Sequence, residues 1–226
     1  MRTASWYFDF VSPYAYLCFG RLRELPAGIA IELTPVLFAG LLGHWGQKGP
    51  AEIESKRRWT YRACQFWADA HGVPFRFPQG HPFNPLHHLR LAIAAGCTRD
   101  ATSRIFEALW TTGADPADAH AFAALCGALG VDQAALGTPE VKDRLRRNTD
   151  AAVALGVFGV PTFALDDELF WGNESIEFLN AYLADPAMLR RGEMRRLDTL
   201  PVSATRELSR GHYGVPPAPP GPGGTK

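Results

Sequence analysis

The sequence has no excess of charge of either sign, no paired cysteines and no long apolar run, and each absence removes a class of protein. Lys and Arg together number 23, as do Asp and Glu, so the formal net charge is zero. A neutral chain has no bulk field with which to gather a polyanion, which speaks against nucleic acid as a partner. A membrane-spanning helix needs roughly 20 consecutive apolar residues. The best stretch here, residues 151–160, is far shorter and is interrupted by Gly156 and Gly159. Cys18, Cys64, Cys97 and Cys126 lie far apart and form no Cys-x-x-Cys pair, so they read as reduced, mostly buried thiols. Seven histidines invite a metal reading, but none forms an H-x-x-x-H pair. Neighbours such as His87 and His88 diverge by about 100° on a helix, so no metal site is expected. The start does not read as a secretory leader either. Met1-Arg2 passes at once into Ser5-Trp6-Tyr7-Phe8-Asp9-Phe10, the first strand of a fold expected in the cytoplasm.

What is present is a core. The 226 residues are 46% apolar and 12% aromatic, enough for one domain or one domain with a large insertion. Residues 4–10 read as a strand. Ser12-Pro13 then opens a helix to about Glu24, because serine caps and proline has no N–H to leave unbonded at the first helical position. Residues 29–35 form a second strand, completing a β-α-β unit with parallel strands. From residue 37 to 156 the pattern is helical. Segments are expected at 53–71, at 84–95 from Asn84-Pro85, at 101–111 capped by Asp100, at 116–129 stopped by Gly130, and from Thr138-Pro139 to Gly156. Residues 160–165, an Asp166-Asp167 turn and residues 168–171 make a hairpin, and Gly172-Asn173 leads into a closing helix at 174–184. The order β-α-β, helices, β-β-α is that of a thioredoxin-like α/β fold carrying an all-helical insertion. The domain limits follow: 1–36 with 157–202, the insertion 37–156, and a disordered Pro/Gly-rich tail at 203–226.

In that arrangement the reactive position is the N-terminus of the first helix, where free N–H groups and the helix dipole favour an anion such as a thiolate. Redox members carry Cys-x-x-Cys there. This chain has Ser12-Pro13-Tyr14-Ala15, with no sulfur before Cys18. A seat for a thiolate without a thiol points to a sulfur that arrives with a cofactor. Taken alone, Ser12 is also a sufficient helix cap, and Lys56-Arg57-Arg58 an ordinary solvated face.

Three segments, in order, carry a resemblance: Phe8-Asp9-Phe10-Val11-Ser12-Pro13-Tyr14-Ala15-Tyr16-Leu17, then Val157-Phe158-Gly159-Val160-Pro161-Thr162-Phe163, then Phe170-Trp171-Gly172-Asn173-Glu174. Over residues 4–185 the chain resembles the 2-hydroxychromene-2-carboxylate isomerase family, related to kappa-class glutathione transferases and more distantly to DsbA-type oxidoreductases. The resemblance implies glutathione as cofactor, a small aromatic substrate and a homodimer. It implies that Ser12 is the catalytic serine facing the glutathione sulfur. Val160-Pro161 would be the cis dipeptide that pairs with the cysteinyl part, and Trp171, Gly172, Asn173 and Glu174 would hold the γ-glutamyl end. Two departures stand out: Glu174-Ser175 replaces a frequent Asp-Arg, and Glu52 and Ile53 occupy positions that touch the aromatic substrate in naphthalene-pathway isomerases. Lys56 and Asn84 are candidate replacement contacts, with Trp45, Trp59 and Phe83 as walls for a flat substrate. The expected function is cis/trans isomerisation of an aromatic enone by reversible addition of the glutathione thiolate. A kappa-like conjugating transferase and a non-catalytic peptide-binding module stand as alternatives.

Overall fold

Alternation along the first strand decides how the molecule is layered. In the computed structural model of the chain, which describes residues 2–203, β1 (Arg2–Phe8) sends Ala4, Trp6 and Phe8 to one face and Tyr7 to the other, and all four are buried. Helix α1 (Pro13–Arg21) crosses over to β2 (Ile29–Pro35), which runs parallel to β1 with Ala4 opposite Ile31. The helical insertion follows: α2 (Phe38–Trp45), α3 (Glu54–Ala70), α4 (Leu86–Ala94), α5 (Arg99–Trp110), α6 (Ala119–Ala128) and α7 (Pro139–Ala154). The chain then returns as β3 (Thr162–Leu165), β4 (Glu168–Trp171) and α8 (Ser175–Ala184). Strand order is β2-β1-β3-β4, with β3 antiparallel to β1 and to β4. This is the expected thioredoxin-like fold.

Both sheet faces are covered by apolar side chains. Trp6 stacks on Phe8 with ring centroids 4.7 Å apart, and Phe106 of α5 meets Phe8, Phe10 and Phe19 at 5.7, 4.6 and 5.3 Å. On the opposite face Tyr7 packs with Val36, Leu41, Ala152, Val157 and Val160, so α2, α7 and the segment before β3 share one cluster. The Asp166-Asp167 turn has positive φ at both residues, 52° and 69°, as a tight two-residue hairpin requires.

Several expected helix starts are corrected. The cap of α5 is Thr98, whose Oγ1 accepts from Ala101 N at 3.2 Å, while Asp100 lies inside the first turn and pairs with Arg104. Asn84 does not cap α4: its side chain bonds Leu86 N at 3.0 Å in a local turn, and the helix begins at Leu86. The segment expected from residue 116 starts at Ala119, where Asp118 accepts from both His120 N and Ala121 N. Helix α1 ends at Arg21, and residues 22–24 tighten into a 3-10 turn. Thr98→Ala is expected to cost about 1 kcal/mol in urea unfolding, and Asp100→Ala only ~0.3 kcal/mol. The reverse order would restore Asp100 as the cap.

Residues 1–186 form one compact unit, and a second begins at Ala187, where α9 (Gly192–Leu197) is the described helix. From residue 204 on, the expected disordered tail lies outside the described residues. Among the described residues no helix is long and apolar enough to cross a membrane.

Candidate active site

The turn between β1 and α1 is built from backbone groups that other residues hold in place. Ser12 sits in extended conformation before Pro13, with its Oγ accepting from Ala15 N at 3.2 Å, so the expected cap is present. The hydroxyl also donates to the Val160 carbonyl at 3.4 Å, long for O–H···O. Its proton is therefore weakly committed. The Tyr14 N–H, next along the helix, meets no acceptor among the described residues.

The turn is braced from three directions. Asp9 is fully buried, and its carboxylate accepts from Val11 N at 3.0 Å and from Phe38 N at 2.8 Å. It thereby serves as the missing cap of α2, whose own preceding residue, Leu37, offers no side-chain acceptor. Burial pushes the Asp9 carboxyl up to about 7, against the opposing pull of these N–H bonds. His81, preceding a cis Pro82, places Nε2 2.8 Å from the Val11 carbonyl and Nδ1 2.7 Å from the Tyr61 hydroxyl of α3. The carbonyl has no proton to give, so Nε2 carries one and donates. The N–H of the same Val11–Ser12 peptide donates to the Asp9 carbonyl at 3.1 Å. Trp110 Nε1 donates to the Phe10 carbonyl at 3.0 Å. Two insertion residues, His81 and Trp110, thus grip the turn that presents Ser12. Sequence reasoning missed both; the only signal was the run Gly80-His81-Pro82-Phe83-Asn84-Pro85 beside an aromatic-rich loop.

Opposite Ser12 the chain passes through a cis Val160–Pro161 bond. Gly172 N donates to the Pro161 carbonyl at 3.0 Å, which brings the Trp171-Gly172-Asn173-Glu174 segment alongside. Trp171 lies across Gly159: a Cβ on that glycine would fall 2.6 Å from the indole nitrogen, so a larger residue there would have to displace the indole. Trp171 remains 54% exposed. Gly172 has φ +100°, with the Glu174 carboxylate folded over it. Asn173 is 5% exposed, and its side-chain oxygen has no hydrogen-bond partner among the described residues. The Asn173 carbonyl accepts from Arg21 at 3.1 Å, and Arg21 also pairs with Glu24 and Glu177. An arginine thus reaches this loop from α1. Glu174 directly precedes α8 without entering it.

The other candidates scatter. Trp45 donates its Nε1 to the Val157 carbonyl at 2.9 Å, and Phe83 packs against the His81, His88 and Trp110 rings. Trp59 projects 72% exposed from α3, where Lys56 is also exposed. No hydrogen bond or ring contact joins Lys56, Trp59 or Asn84 to Ser12 among the described residues. Glu52 Oε1 accepts from Gly49 N at 2.6 Å, which ties it to its own turn. Burial, reinforced by the Cys64 and Glu174 side chains, raises the Tyr14 hydroxyl to about 12. No thiol is poised as a nucleophile: burial raises Cys18 and Cys64 to about 12, Cys97 to about 11, and Cys126 also upward.

A parallel β-α-β half, an antiparallel β-β-α half and a helix N-terminus facing a cis proline together define a thioredoxin-fold protein of the DsbA-like thioredoxin domain family, whose pattern matches residues 3–184. The chain is 32% identical over 190 residues to a 2-hydroxychromene-2-carboxylate isomerase of Pseudomonas putida, covering 77% of this chain and 91% of the relative. Within the DsbA-like class it belongs to the 2-hydroxychromene-2-carboxylate isomerase family. The Sphingobium xenophagum isomerase is 29% identical, with 81% of this chain and 99% of that protein covered. A solved 2-hydroxychromene-2-carboxylate isomerase structure superposes with a TM-score of 0.70 at 25% identity, over 88% of this chain and 100% of that one. Glutathione S-transferase kappa 2 of Caenorhabditis elegans is 26% identical, covering 86% of this chain and 96% of its own.

Proposed function

We propose that this protein is a glutathione-dependent isomerase of 2-hydroxychromene-2-carboxylate or a related aromatic enone. The observation that carries the reading is a serine hydroxyl with a weakly held proton at the start of α1, facing the Val160 carbonyl, in a chain whose own thiols are all raised. The fit to a cysteinyl peptide cofactor is supported by two open polar groups, one on Val160 beside Ser12 and one on Asn173 in the loop that follows β4. The Val160 N–H is bonded to no group among the described residues, and the buried Asn173 oxygen lacks a partner. Glutathione supplies a nucleophilic sulfur whose reversible addition lets a conjugated double bond rotate. Ser12 donates its hydroxyl proton as a hydrogen bond to that sulfur, assisted by the Tyr14 N–H and the α1 dipole. Val160 offers an N–H and a C=O to an extended backbone, as in strand addition. Asn173 and Glu174 orient the glutamyl end, with Glu174 pairing its ammonium. A cytoplasmic homodimer accords with this reading.

A ligand that binds only the folded state raises the melting temperature. At a hundredfold excess over Kd the gain is ~2.7 kcal/mol, or roughly 5–10 °C for a chain of this size. Millimolar glutathione that leaves the melting curve unmoved would count against the cofactor. The kappa relative favours a second reading, conjugation of glutathione to electrophiles. Turnover of the cis-enone without net glutathione consumption supports the isomerase, whereas stoichiometric consumption with a chlorodinitrobenzene-type electrophile and no isomerisation supports the transferase.

A further inference from the structure

A cavity of about 300 Å³ lies beside the outer strand β2 and shares no residue with the Ser12 turn or its braces. Its walls are residues 31–33 of β2, Gly96 and Cys97 in the turn between α4 and α5, Arg99 at the start of α5, and Arg144 of α7. Two features set it apart from an ordinary surface dent. First, neither arginine has a carboxylate within ion-pair distance among the described residues. Both are exposed, and each guanidinium has a neutral contact in place of a counterion. Arg99 lies over the Phe19 ring at 5.7 Å. Arg144 Nε donates to Asn148 Oδ1 at 3.1 Å, and Asn148 is itself buried, its amide donating to the Pro35 carbonyl at 3.0 Å. That bond occupies Nε and leaves the terminal nitrogens of Arg144 for a ligand. A pre-placed fork loses less entropy on binding a carboxylate than a free one.

Second, the cavity holds Cys97, which is half-buried where the other three cysteines are fully buried. Arg144 and Glu32 line the same cavity as the Cys97 thiol and act on it in opposite senses, the first lowering and the second raising its pKa beneath the larger effect of burial. Glu32 partly offsets the arginines, leaving the lining with a net charge of one positive unit. That balance suits a small acid better than a polyanion. The volume is at the small end for ligand sites.

We propose that this cavity is a second small-molecule site, taking a small organic acid whose carboxylates pair with Arg99 and Arg144, with the Cys97 thiol in its wall. The site is independent of the isomerase reading.

Cys97 provides the readout. The full-length protein is treated with an anionic dicarboxylate disulfide, 5,5′-dithiobis(2-nitrobenzoate), and separately with neutral 4,4′-dithiodipyridine. Labelling of the Cys97 peptide is followed by mass spectrometry and each rate is normalised to free N-acetylcysteine. A bound carboxylate held by charge-assisted bonds predicts a preference of about tenfold for the anionic reagent. Arg144→Gln should bring the ratio near unity, Arg144→Lys should retain part of it, and millimolar succinate should slow the anionic reagent on the wild-type protein. Arg144 is exposed, and the ratio is internal to each sample, so a small change in stability does not alter it. Equal normalised rates, or a preference that survives both Arg144→Gln and Arg99→Gln, would overturn the site. Protection by inorganic phosphate but not by succinate would overturn the carboxylate class.

Discussion

Removal of the Ser12 hydroxyl is expected to lower isomerase turnover by about 10²–10³-fold, the usual loss when one aimed donor to a developing or resident anion is deleted. The expectation rests on the 3.4 Å separation between Ser12 Oγ and the Val160 carbonyl, which leaves the proton free to turn to a better acceptor. Ser12 has a second role that must be separated from the first, since its oxygen caps Ala15 N. Ser12→Ala loses both and should destabilise the fold by about 1 kcal/mol, whereas Ser12→Gly loses the hydroxyl at a cost of a few tenths. Both variants should be equally slow despite their different stabilities, and Ser12→Thr should stay within about tenfold of wild type. With saturating glutathione the loss should fall on kcat, and the pKa of bound glutathione, read from thiolate absorbance, should rise in both slow variants. Wild-type turnover in Ser12→Ala and Ser12→Gly would reduce Ser12 to a helix cap and end the mechanism.

The parts of this site legible in the sequence are those whose reason is local. A serine before a proline caps a helix whatever surrounds it, and Asp166-Asp167 makes a two-residue turn from its own backbone preferences. The Val160-Pro161 and Trp171-Gly172-Asn173 segments were legible through resemblance, and their approach to Ser12 followed from the β-α-β and β-β-α halves sharing one sheet. The unread parts depend on residues far apart in the chain. His81 is 70 residues from Val11 and Trp110 is 100 from Phe10, so no spacing rule connects them. Asp9 could be read only as part of a motif, because the acceptor it supplies to α2 becomes visible once Phe38 folds back beside it. Helix starts shifted by one to three residues for a related reason. Thr98 and Asp100 are both competent caps, and the choice is made by the tight turn before them, where Gly96 and Cys97 take positive φ. The substrate side was least legible: Trp59 and Lys56 face solvent on α3, and helical periodicity distinguishes an inward from an outward face but cannot assign a wall to a cleft.

Asp9 should give the protein an unusual dependence of stability on pH. A carboxyl raised to about 7 in the folded state, against an ordinary 3.8, binds its proton more tightly when folded than when unfolded. By linkage its contribution is fully present below about pH 4 and is lost as pH rises through 7. The buried histidines act in the opposite sense. Burial lowers His81, and lowers His88 to about 4, so each contributes stability above its unfolded value that is lost as pH falls. The wild-type profile is a sum of opposed slopes, and only a difference isolates Asp9. Asp9→Asn keeps the size and one acceptor but turns an NH₂ toward either Val11 N or Phe38 N, leaving one buried donor unpaired at a cost of roughly 1–3 kcal/mol. Asp9→Ala orphans both donors and should cost roughly twice that, detaching the start of α2 from the turn that carries Ser12. In urea unfolding at pH 5 and pH 8, the gap between wild type and Asp9→Asn should therefore be larger at pH 5 and narrow at pH 8, while the histidine slopes cancel between the two proteins. A gap that widens toward pH 8 would mean that the two N–H bonds outweigh burial, that the carboxylate is charged throughout, and that the brace beneath Ser12 is an anion rather than an acid.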